Sequence, residues 1–334
     1  MKTEVTNNSQ GPILSVEGLT VCFTGDTGKR TVTDGITFAV RQGETLGIVG
    51  ESGCGKSVTS LAVMGLLPKN GRAEQGKILF RGADLLMMSE KELDEIRGAD
   101  LTMVFQDALA ALNPVFTVGN QLVEVIRKHR EKDRKKARAI AERILAEVGL
   151  PDPAQVLKKY PGELSGGQRQ RVMIGMALAC GPKLLIADEP TTALDVTIQA
   201  QIMDLIGRVA AEEDMSMILI THDIGLVAQT ADRVLVMYAG QIIEEAPVRE
   251  LFHHPLHPYT QGLLASAPGL LDAQERRLAS IPGMVPEDYS DMTGCRFFDR
   301  CPKKCRQCHG AQERREVTPG HFVRCLRAEE ADHE

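Results

Sequence analysis

Short apolar runs broken by glycine turns dominate residues 13–87, a pattern that predicts a series of short strands. ETLGIVG, residues 44–50, reads as one buried strand, and SVTSLAVMGLL, residues 57–67, reads as the apolar helix that follows it. Between residues 88 and 165 the charge density rises. There the run RKHREKDRKKARAIAERILAEVGL, residues 127–150, carries mixed charge at its start and apolar residues at helical spacing toward its end. Its basic residues raise the possibility of RNA or anionic lipid, but interleaved Glu131, Asp133 and Glu142 favour a solvated helix. Residues 166–255 return to alternation, with VMIGMALA helical and LLIA and ILI read as buried strands. Alternating strands and helices predict an α/β fold with a parallel sheet. No apolar run approaches the roughly 20 residues of a membrane span; the longest candidate is LAVMGLLP at 61–68.

Composition changes this picture little. The chain has 334 residues, 43% hydrophobic and 25% charged, enough apolar material for one large core and an appendage. The net charge of −6 does not suggest a nucleic-acid binder. The start, MKTEVTNNSQGPILSVEG, has no apolar core of a signal peptide, so a cytosolic chain with reduced thiols is expected.

Chemistry enters after the strand at 44–50. Gly50-Glu51-Ser52-Gly53-Cys54-Gly55-Lys56-Ser57 fits G-x-x-x-x-G-K-[ST] between a strand and a helix. Glycines let backbone N–H groups curl around phosphate oxygens, and the helix N-terminus adds partial positive charge. Lys56 is placed to reach the β and γ phosphates, and the Ser57 hydroxyl to ligate Mg²⁺. Cys54 fills a free position of the loop. Farther on, Leu184-Leu185-Ile186-Ala187 ends in Asp188-Glu189. Acids at the carboxyl end of a parallel strand stand where such sheets bind ligands. Asp188 can hold Mg²⁺ through water, and Glu189 can polarise an attacking water; the same DEPTT stretch also reads as a helix cap. LSGGQRQR, residues 164–171, places two glycines at another helix N-terminus suited to an anion or simply capped by serine.

Together these motifs resemble the signature set of ABC-type ATPases. The resemblance makes Gln106 in VFQD the Q-loop glutamine and a Mg²⁺ ligand, Asp195 in TTALD the D-loop residue, and His222 in ILITHD the γ-phosphate sensor. It places Phe23, in LTVCF, against adenine, although a strand Phe is also ordinary core. In that family two domains sandwich each ATP, so Ser165, Gly166, Gly167 and Gln168 are expected to touch the partner's nucleotide. GESGCGKSVTSLAVMGLLP, ALNPVFTVGNQL, DEPTTALDVTIQAQIMDLI and HPLHPYTQGLLASAP narrow the likeness to bacterial di- and oligopeptide importers over about residues 13–327.

The resemblance implies a P-loop NTPase core of ABC type over 13–255, with a β-rich N-terminal subdomain and a helical signature subdomain at about 88–165. A peptide-importer extension over 256–334 opens with His257-Pro258-Tyr259-Thr260. It implies an ATPase peripheral on the cytoplasmic face of the inner membrane, with ATP and Mg²⁺. Its partners would be a second, related ATP-binding subunit, two transmembrane permease subunits and an extracytoplasmic peptide-binding protein, with no nucleic acid. ALNPVFTVG would lie near the permeases' coupling helices. A nickel or other solute importer is an alternative, and a soluble ABC ATPase of DNA maintenance a remoter one, since the chain lacks long heptads and a basic balance.

Five of the eight cysteines lie at 295–325. Cys295, Cys301, Cys308 and Cys325 are spaced C-x5-C-x6-C-x16-C, with Cys305 extra. Four thiolates in a reducing compartment suit zinc or an iron–sulfur cluster. The resemblance favours a [4Fe–4S] cluster, with Zn²⁺ or free thiols as the alternatives and with Cys305 able to replace Cys308. No sequence feature leads the extension to pack on the nucleotide loop, so nucleotide binding by residues 13–255 is expected to survive loss of the metal.

Overall fold

The computed structural model describes residues 11–26, 28–107, 111–191, 196–266, 281–286 and 288–328. Two sheets organise them. The first is antiparallel and contains β1 (Leu14–Gly25), β2 (Gly28–Val40), β4 (Gly71–Phe80) and β5 (Ala83–Asp84), in the order β2-β1-β4-β5. The second contains β3 (Thr45–Val49), β6 (Leu101–Val104), β7 (Leu184–Asp188), β8 (Ser216–Ile220), β9 (Arg233–Tyr238), β10 (Gln241–Pro247), β11 (Arg315–Thr318) and β12 (His321–Val323). Its order is β11-β12-β10-β9-β3-β8-β7-β6. The strands from β9 to β6 run parallel. β10, β12 and β11 extend the sheet in antiparallel fashion.

The parallel strands are covered on both faces, which is why they read as unbroken apolar runs. Leu184 to Ala187 and Ile218 to Ile220 are all buried. One core packs the antiparallel sheet against one face of the parallel strands. The other joins the opposite face to the helices Val118–His129, Arg134–Glu147 and Gly166–Leu178. The charged run at 127–150 is not one helix. It spans the end of Val118–His129, a break, and Arg134–Glu147. Asp133 accepts from the Lys136 N–H and caps the second helix, the role short acids take at N-termini. Ala137, Ala141, Ile144 and Leu145 form its buried stripe, and the intervening charges face solvent.

The tail does not stand apart from the core. β12 pairs with β10 at Glu244 and Glu245, two adjacent carboxylates that point to opposite faces and are both buried. Glu244 accepts from the N–H groups of Leu256 (2.7 Å) and His257 (2.9 Å) and meets His321 Nε2 at 2.8 Å. Glu245 pairs with Arg233 and Arg314, and Arg233 also pairs with Glu44 at 2.8 Å. Arg233 and Arg314 face the carboxylates of Glu44 and Glu245, and Glu244 is met by two backbone N–H groups and the His321 ring, so these buried polar groups have partners, as burial requires.

Candidate functional site

The phosphate loop joins β3 to the helix Lys56–Val63. Its geometry depends on glycine at Gly50, where φ is 152° and a Cβ would fall 2.2 Å from the Met237 carbonyl oxygen. Lys56 is buried, and its ammonium donates to the carbonyls of Gly50 (2.7 Å) and Glu51 (3.0 Å). Cys54 is fully buried, 3.7 Å from Lys56 Nζ, and burial pushes its thiol pKa up. It is packing for the loop rather than an exposed nucleophile.

β7 delivers Asp188 and Glu189 beside this loop. Burial pushes the Asp188 carboxyl pKa up; the Ser57 hydroxyl bond and Lys56 oppose the rise, and Glu189 adds to it. Asp188 Oδ1 is buried without a hydrogen-bond partner. An orphaned carboxylate oxygen beside a serine hydroxyl is a hard-oxygen donor set suited to Mg²⁺. Glu189 adopts φ 48°, in the left-handed region that Arg81, Asp152, Asp214 and Ala239 also occupy. Its Oε2 accepts from Gln106 Nε2 at 2.9 Å, and its Oε1 lies 3.3 Å from His222 Nδ1. Gln106 follows β6 and His222 follows β8, so the ends of neighbouring parallel strands bring the three together.

Ser165 to Gln168 form a separate group at the start of the helix Gly166–Leu178. The Ser165 hydroxyl accepts from Gln168 N–H, and Gln168 Oε1 accepts from Ser165 N–H, a reciprocal cap. Ser165 and Gly166 are exposed beside it. Gln170 of the same helix donates to the Pro190 carbonyl at 2.5 Å and so ties the signature helix to the turn that carries Glu189. The motif reading overlooked Gln170, since its partner is a backbone atom. Phe23 is half-buried on β1, with its ring over Gly71. Asp195 lies outside the described residues. Val115 and Phe116, in ALNPVFTVG, are 70% and 50% exposed.

Cys295, Cys301, Cys308 and Cys325 line one small cavity with His257, whereas Cys305 does not reach it. The Cys305 and Cys308 sulfurs are 3.5 Å apart. Burial, reinforced by the neighbouring thiols, pushes the Cys295 pKa up to about 11. Among the described residues no set of three or more His, Cys, Asp or Glu is already close enough to hold a metal ion.

The extension does pack on the nucleotide loop, a contact that no sequence feature predicts. The Tyr259 hydroxyl accepts from the Glu51 N–H at 2.9 Å, and Arg300 pairs with the Glu51 carboxylate at 3.0 Å. Arg296 donates to the Ala239 carbonyl and pairs with Asp34 at 2.6 Å, next to the Gly240 N–H that donates to the Cys54 carbonyl. Partners this far apart in sequence leave no local pattern.

Residues 33–192 match the family ABC transporter, and residues 243–308 match the family Oligopeptide/dipeptide transporter, C-terminal region. The dipeptide transport ATP-binding protein DppD of Bacillus subtilis is 48% identical, with 96% of each chain covered. Its Escherichia coli namesake is 49% identical over 90% of this chain and 91% of its own. A probable peptide ABC transporter ATP-binding protein of Sinorhizobium fredii is 46% identical over 95% and 96%. Among solved structures, the dimeric bacterial ABC transporter cassette MJ0796 superposes with a TM-score of 0.65 at 26% identity, covering 71% of this chain and 99% of its own. The cbiO1 subunit of Clostridium perfringens gives 0.60 at 30% identity, over 72% and 90%. The chain belongs to the ATP-binding subunits of ABC transporters, in their oligopeptide/dipeptide branch.

Proposed function

We propose that this chain hydrolyses ATP to power the import of di- or oligopeptides, as a membrane-associated subunit. The observation that carries the chemistry is the meeting of Gln106 and His222 on Glu189, beside Lys56, Ser57 and the orphaned oxygen of Asp188. The carrier class rests on relatives whose names specify dipeptide transport. Residues 50–57 receive the phosphates, and Lys56 supplies a fixed cation. Glu189 orients a water and takes its proton, while Gln106 and His222 hold the carboxylate in place. Ser57, Gln106 and Asp188 are the residues to hold Mg²⁺, which neutralises phosphate charge when bound. Phe23 stacks on adenine. Ser165, Gly166, Gly167 and Gln168, with Asp195, complete the site of a second ATP-binding chain.

Val115 and Phe116 offer exposed apolar contact for a permease. No helix among the described residues is long and apolar enough to cross a membrane, in keeping with attachment through such partners. Affinity purification from detergent-solubilised membranes tests this assembly. Two permeases and a second ATP-binding subunit are expected, and recovery of the chain alone from the membrane fraction would contradict it.

In the tail the reading is a [4Fe–4S] cluster on Cys295, Cys301, Cys308 and Cys325. Four soft donors around one cavity support it, although they must draw together to ligate. Anaerobically purified protein is then expected to be brown, with about four irons per chain. Cys325→Ser and Cys308→Ser bleach it, whereas Cys305→Ser does not. One zinc and no iron by metal analysis would replace the cluster with the zinc alternative.

A further inference from the structure

Three contacts on the phosphate loop converge on Glu51. Its N–H donates to the Tyr259 hydroxyl at 2.9 Å. Its carbonyl accepts from Lys56 Nζ at 3.0 Å. Its carboxylate pairs with Arg300 Nη1, also at 3.0 Å. Two of the three partners, Tyr259 and Arg300, come from the C-terminal extension, more than 200 positions along the chain.

Neither partner is a loose surface group. Tyr259 is fully buried, and its ring centre lies 4.8 Å from that of Tyr238 and 5.4 Å from that of Phe297. The Arg300 side chain is only 8% exposed. It also donates to the Pro282 carbonyl (2.8 Å) and the Tyr238 hydroxyl (3.3 Å), and its guanidinium faces the rings of Tyr238 and Phe297. Packing and these bonds fix both side chains, so they can fix what they hold.

The chemistry of Glu51 makes this grip consequential. A carboxylate in a loop that receives a polyanion opposes the ligand's charge, the more so where water is partly excluded. Arg300 cancels that charge. The Tyr259 bond turns the Glu51 N–H toward the extension and sets the backbone from which the following N–H groups project.

We propose that Arg300 and Tyr259 are positioning residues for the nucleotide: acting through Glu51, they neutralise and fix the start of the phosphate loop, so that the C-terminal extension sets the loop's affinity for a nucleoside triphosphate. This rests on the reading of residues 50–57 as the ATP site.

The test is the affinity of the full-length chain for a fluorescent ATP analogue with Mg²⁺, measured beside thermal unfolding. Absence of binding by the unaltered chain would overturn the ATP-site reading and this inference with it. Given binding, Arg300→Gln is expected to weaken it about tenfold, the scale of one partly buried charge pair. The same change in a Glu51→Gln background is expected to weaken it less than about twofold, because the charge to be neutralised is gone. Arg300→Lys keeps that charge and retains most of the affinity. Tyr259→Phe, equal in shape, loses about threefold through one hydrogen bond. An equal loss from Arg300→Gln in both backgrounds, or none in either, would reduce Arg300 to an anchor of the tail and overturn the proposal. Should Arg300→Gln not fold, unchanged affinity in Tyr259→Phe would overturn it, and the threefold loss would support it.

Discussion

Glu189→Gln is expected to bind ATP and almost stop hydrolysing it. The substitution keeps the side chain's size and its place between Gln106 and His222, but removes the basic oxygen. A positioned general base contributes about 10²- to 10⁴-fold, so turnover in the assembled complex falls by that order while nucleotide affinity stays. In the proposed two-chain assembly, ATP that is bound and not cleaved is expected to keep the two ATP-binding chains closed on it. A stable dimer in the presence of Mg²⁺ and ATP, seen by light scattering, is the companion result. Hydrolysis at the normal rate would remove Glu189 from the base role.

Lys56→Ala acts a step earlier. The buried ammonium is the loop's fixed cation and also ties the Gly50 and Glu51 carbonyls together. Losing it removes charge-assisted bonds to phosphate and loosens the loop, a loss on the order of 100-fold in ATP affinity. The chain still folds, because the core strands around the loop contribute none of these bonds. Equilibrium binding by the purified variant checks this, and unchanged affinity would remove Lys56 from the site. The two variants therefore differ in kind: one empties the site, the other fills it and stalls.

The core strands were legible because burial on both faces leaves an unbroken apolar run, as at Leu184–Ala187. The phosphate loop was legible because its glycines and lysine follow one another in sequence. Gln106, Glu189 and His222 were each singled out, and adjacency of parallel strand ends brings them into contact. Partners distant in sequence were not legible. Glu244 and Glu245 look like ordinary surface acids in GQIIEEAP, yet both are buried against residues of the tail. Arg300 reads as one more charge between cysteines, and nothing beside it announces Glu51. The break at Asp133 was hidden because a capping acid inside a charged run looks like any other charge. Spacing alone left Cys305 and Cys308 interchangeable; the fold holds their sulfurs 3.5 Å apart, with Cys308 on the cavity that Cys295, Cys301 and Cys325 line.

Uptake of a labelled dipeptide, by cells lacking this chain and supplied with it or with Glu189→Gln, tests the central claim most directly. The unaltered chain is expected to restore uptake, and Glu189→Gln to leave it at the level of the deficient cells while still assembling at the membrane. Uptake restored equally by both, or by neither, would contradict an ATPase that drives peptide import.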